Sequence, residues 1–139
     1  MFYTEKEEQR LVAWRQWRET LASMTSTERA QAVSELCSKI PYGSQHLSHD
    51  LIHDWPDPWE LVYYNCYDEY SIALIAFYTL ALLEEECAIH ATQTPYGIEL
   101  LVEADSSILN YPWGNRVNTL PEDCKILNTY TVRDFDLKL

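Results

Sequence analysis

The stretch that most constrains this chain is Trp55 to Leu83, WPDPWELVYYNCYDEYSIALIAFYTLALL. From Ile72 to Leu83 it is apolar apart from Tyr78 and Thr79. A helix over Ser71–Leu83 would be apolar on nearly every side, so it must lie at the centre of a core. At about thirteen residues it falls short of the roughly twenty a membrane span requires, and Glu84-Glu85-Glu86 ends it in water. The first half carries its own start signal. Asp57 can cap, Pro58 has no N–H to leave unpaired at the first helical position, and Glu60 follows the cap by three residues. A short helix to about Tyr64 should follow, and Asn65 to Asp68 then supply a break and a second cap.

The chain before this stretch reads as two amphipathic helices. Thr4 with Glu7, and Thr25 with Glu28, have capping-box spacing. The first helix, from about Glu5 to Ala22, carries Leu11, Trp14, Trp17 and Leu21. Arg15 and Arg18 flank it, and their stems can lie over the aromatics. The second, from about Ser26 to Lys39, sets Val33, Leu36, Cys37 and Ile40 on one stripe, and Pro41 and Gly43 end it. A helical hairpin against the central helix is expected. After Leu83 the period changes. Cys87 to Gln93, Ile98 to Ala104, Ile108 to Tyr111, Arg116 to Leu120 and Lys125 to Val132 read as short strands, separated by Thr94-Pro95-Tyr96-Gly97 and other turns. Helices first and strands after give an α+β fold, with the helices packed on an antiparallel β-meander. At 139 residues one domain, 1–139, is expected.

Charge and cysteine usage narrow the function. The net charge is -12, yet Ile40 to Asn115 contains twelve acids and no Lys or Arg. Such a surface argues against binding a phosphate backbone and for a basic protein partner. No secretory signal opens the chain. Cys37, Cys66, Cys87 and Cys124 are widely spaced with no CxxC pair, which favours reduced thiols. No bound cofactor is indicated.

Two constellations could carry chemistry. Cys66 precedes the central helix, whose amide donors could favour a thiolate. His90 on the first strand and Asp105 after the second could complete a thiol site, in the order of papain- and transglutaminase-like folds. Separately, His46, His49 and His53 lie within eight residues, interleaved with Asp50 and Asp54. On a helix those spacings would place three imidazoles on one face, where they could hold a transition metal. The alternative for this run is a solvated linker.

The segments WPDPWEL, YDEYSIALIAFYTL and SILNY together resemble a small family of tailed-bacteriophage proteins with a transglutaminase-like fold. The resemblance covers Trp55 to about Asn110. Aligned on Ala-Leu and Tyr-Thr-Leu, the family pattern's cysteine falls on Asp68 and its glycine on Ile75. Its histidine falls within Gly97-Ile98-Glu99-Leu100, where this chain has none. The resemblance therefore implies a degenerate transglutaminase-like fold. It implies a non-enzymatic phage protein acting by protein contact, as a virion component of tail, baseplate or neck or as an acidic anti-defence inhibitor. Other virion proteins or a basic host protein would be its partners, in the virion or the host cytoplasm, with no nucleic acid and no membrane, and an oligomer is compatible with this. Trp55, Trp59 and Trp113 would supply interface anchors. The alternative is a thiol enzyme of transglutaminase or cysteine-peptidase type using Cys66, and a third is a metal module built on the histidine run.

Overall fold

The structure, a computed structural model, describes residues 1–43, 47, 49–112, 115–135 and 137. Among the described residues four α-helices precede a four-stranded sheet. They are α1 (Glu7–Ala22), α2 (Ser26–Lys39), α3 (Pro58–Tyr64) and α4 (Glu69–Leu82). The strands are β1 (Cys87–Thr94), β2 (Gly97–Ala104), β3 (Ser107–Ile108) and β4 (Lys125–Thr131).

The helix ends follow the sequence chemistry closely. Thr25 with Glu28 and Asp57 with Glu60 both form complete capping boxes, and Pro58 opens α3. Asn65 ends α3 in the left-handed conformation, and Asp68 caps α4 by accepting from the Ser71 N–H at 2.7 Å. The Thr4–Glu7 box does not form. Residues Phe2–Thr4 make a 3-10 turn in which the Thr4 hydroxyl donates to the Met1 carbonyl, and Lys6 takes the cap position of α1.

α4 is the buried element that its composition requires. Ala73 to Phe77 are fully enclosed, and Leu74 is 0% exposed. The two polar residues inside the run are both satisfied. The Tyr78 hydroxyl donates to the Pro56 carbonyl, and Thr79 donates to Ile75 while accepting from the Trp14 indole of α1. Leu82 is half-buried at the helix's outer end. α1 packs chiefly on α3 and α2 on α4, so the two N-terminal helices grip the centre from different sides, with little contact between them. Arg18 lies over the Trp14 ring, 4.2 Å from its centroid.

The sheet departs from a simple meander. Its order is β3-β2-β1-β4, so β1, β2 and β3 follow one another while β4 returns to the far side of β1. A hairpin with Pro95 and Tyr96 at its tip joins β1 to β2. It relies on Gly97, whose φ of +120° other residues rarely adopt. The expected third strand shortens to Ser107–Ile108, and Arg116–Leu120 contributes a single bridge, Val117 to Ile108. Ile89, Ala91, Leu100 and Val102 point to the core under α4. The alternating residues face the other side, where Leu101, Ile108 and Tyr111 form a smaller cluster.

Candidate functional site

α4 begins over the β1–β2 hairpin. Tyr70, in its first turn, donates its hydroxyl to the Ile98 carbonyl at 2.9 Å. Cys66 sits two residues before the α4 cap, on the Asn65–Tyr67 loop. Both flanks of this loop are tied down: the Asn65 amide donates to the Tyr3 carbonyl, and Tyr67 is 1% exposed. Arg10 braces the same region from α1, donating to the Val62 and Tyr63 carbonyls that end α3 and to the Glu5 carbonyl. Gly43 lies against the thiol. A Cβ there would come within 3.2 Å of Cys66 Sγ, and the Gly43 N–H donates to the Tyr67 carbonyl at 2.6 Å. A side chain at 43 would therefore crowd the sulfur.

The four cysteines differ in what their thiols can do. Burial pushes Cys37 and Cys87 up to about 12, so both stay protonated at neutral pH. Cys124 is also raised, first by desolvation. Cys66 is half-buried and stands on the loop that leads into a long buried helix.

The structure does not bring His90 and Asp105 to it. His90 lies on the sheet face turned away from α4, because its neighbours Ile89 and Ala91 take the core side. Its Nδ1 is 2.8 Å from the Thr129 hydroxyl on β4, and its Nε2 is 2.8 Å from a Glu103 carboxylate oxygen on β2. Both ring nitrogens are thus committed to a cross-strand clasp. Asp105 turns the chain at the opposite end of the sheet. It pairs with Arg116 at 2.8 Å and borders an open groove shared with Glu85 and Glu86, beyond the C-terminal end of α4. The triad read from sequence order is corrected accordingly: strand alternation and the length of α4 separate its members. Asp68, onto which the phage-family pattern places its cysteine, is a buried cap whose carboxylate is engaged by the helix start.

The remaining sequence candidates also separate. His49 lies in a turn and His53 in the 3-10 segment Ile52–Asp54, so no α-helix aligns these two, while His46 is outside the described residues. Among the described residues no group of three or more His, Cys, Asp and Glu could hold a metal ion. Trp55 is buried, packed on Tyr130 and Phe135, and so is a core residue and no interface anchor. Trp59 is 38% exposed, against Trp14, and Trp113 lies outside the described residues. Sequence reasoning missed Gly43, Thr129 and Glu103. Gly43 is legible only as a glycine that ends α2, and the other two meet His90 through strand pairings that residue spacing does not announce.

Comparison with known proteins gives a fold and little else. No family model and no curated protein matches the chain. Among solved structures, Legionella pneumophila LapG in its calcium-bound form matches at a TM-score of 0.70 and 15% identity, over 92% of this chain and 77% of LapG. EGTA-treated LapG matches at 0.71 and 15%, over 94% and 78%. At this identity the likeness shows the fold alone, an α+β architecture of the transglutaminase-like type. The expectation of a non-enzymatic phage protein acting by contact is corrected on this finding: the fold is shared with LapG, and the comparisons offer nothing for a phage, virion, tail or anti-defence role.

Proposed function

We propose that this chain is a thiol enzyme of the cysteine-peptidase or transglutaminase type, with Cys66 as its nucleophile. The observation that carries the reading is the place of Cys66. It is half-buried on the loop entering the buried helix α4, in a chain that shares the LapG fold over nine-tenths of its length. Burial pushes the Cys37 and Cys87 thiols up to about 12, and desolvation raises that of Cys124.

The chemistry follows from the thiol. Deprotonated Cys66 Sγ attacks an amide carbonyl carbon, and a tetrahedral intermediate forms. The C–N bond breaks, the leaving amine takes up the proton removed from the thiol, and a thioester remains. Water attacking the thioester releases an acid and regenerates the thiol, whereas an amine attacking it makes a new amide. The base that holds the proton is not His90, whose ring is engaged elsewhere. His49 and His53 follow Gly43, which abuts Cys66, and Asp50 between them contributes to the electrostatic field at Tyr70, in the first turn of α4. This reading draws the base from the histidine run.

The test uses denatured casein, following both peptide-bond cleavage and incorporation of a fluorescent amine. Turnover that Cys66→Ser abolishes, that a replacement in the 46–53 run reduces at least tenfold and that His90→Ala leaves in place supports the reading. Turnover that persists in folded Cys66→Ser refutes it.

A further inference from the structure

Strand β4 is one margin of the sheet. Among the described residues its only strand partner is β1, so the other side of Lys125–Thr131 presents main-chain groups outward. Its sequence, KILNTYT, has one charge, no proline and several β-branched or aromatic residues. Ile126 and Leu127 are 43% and 48% exposed. Short segments of this composition on an open edge pair readily with copies of themselves. The net charge of -12 is carried by Ile40 to Asn115, outside β4, so β4 is a place where two copies can meet with little charge repulsion. The partner this edge fits is therefore a second β4, antiparallel about a twofold axis, so that the same residues serve on both sides.

Two side chains occupy the donors such a pairing needs. Asn128 Oδ1 accepts from the Thr129 N–H at 2.9 Å, and the Asn128 amide nitrogen donates to the Tyr130 hydroxyl at 3.0 Å, which holds the side chain in place. Asp134 Oδ2 accepts from the Thr131 N–H at 2.8 Å, where the chain leaves the strand for the 3-10 turn Val132–Asp134. Thr129 and Thr131 stand opposite His90 and Ala88, two residues apart, so their N–H groups point to the same side of the strand. A donor that already has an acceptor gains nothing when a second strand offers a carbonyl instead. The register shift between Ala91 and Thr92 adds a bulge that bends the edge out of plane.

We propose that Asn128 and Asp134 are edge guards: by filling the Thr129 and Thr131 donors they keep β4 from pairing with the β4 of a second copy. The test compares the full chain with Asn128→Ala/Asp134→Ala by sedimentation velocity over a concentration series, with amide exchange read at Thr129 and Thr131. The guarded chain should hold its mass across the series. The double variant's weight-average mass should climb about twofold relative to it, as a twofold pairing requires. Both threonine amides should exchange more slowly at the high end, and Ile126→Lys added to the variant should reverse the association. A folded double variant that tracks the unmodified chain overturns the proposal. So does one that associates while both amides stay unprotected. Should the double variant unfold, Asn128→Ala alone, which keeps the Thr131 cap, is read by the same criteria.

Discussion

Leu74→Ala tests the claim that α4 is the centre of the molecule. Leu74 is fully enclosed, with α2 and α3 packed against α4 on one side and β1 and β2 on the other. The substitution removes three carbon atoms, a transfer loss of about 2.4 kcal/mol at roughly 0.8 kcal/mol per buried CH₂. A cavity contribution adds to this wherever the surroundings cannot collapse, and measured Leu→Ala costs run from about 2 to 5 kcal/mol. Enclosure from both sides resists collapse, so the expected loss lies in the upper half, about 3.5–5 kcal/mol. Urea unfolding at matched slope gives the difference directly. Val12→Ala, at an α1 position 47% exposed, is the control and should stay within about 0.5 kcal/mol. A Leu74→Ala loss under about 1 kcal/mol would contradict the enclosure described here.

Two further outcomes are expected. Asp57→Ala, which removes the acceptor for the Glu60 N–H at the start of α3, should cost about 1 kcal/mol in the same unfolding assay, and Asp57→Asn much less. The buried thiols predict an alkaline loss of stability. Cys37 and Cys87 are raised in the folded state from an ordinary 9.0 to about 12, so their contribution is complete below pH 9 and is lost as pH climbs from there towards 12. The urea midpoint should fall over that window, and a Cys37→Ala/Cys87→Ala chain should show a flatter slope there.

Much of the fold was legible because local rules and global packing agree. Asp57-Pro58-Trp59-Glu60 and Thr25 to Glu28 each specify a helix start that nothing opposes, and the apolar run of α4 has no alternative to burial. The Thr4–Glu7 box failed because Phe2 is drawn into the core, 1% exposed, which turns Thr4 back onto Met1. The return of β4 to β1 was hidden in the long connection after Ile108, since residue spacing reports strands but not which strand they join. The site was harder to read for the same reason. Strand alternation puts His90 on the outer face, and only the pairing of β1 with both β2 and β4 shows that Glu103 and Thr129 claim its ring. The contact of Gly43 with Cys66 likewise depends on how a loop folds over a helix start, far from either residue's own sequence context.

The central claim is that Cys66 is a nucleophile, and its reactivity tests that most directly. Native protein is treated with substoichiometric iodoacetamide at neutral pH, and the label is located by peptide mass mapping. Cys66 is expected to take the label ahead of Cys124, at least tenfold faster than glutathione under the same conditions, while Cys37 and Cys87 react only on unfolding. Labelling of Cys124 first, or of Cys66 no faster than glutathione, would contradict it.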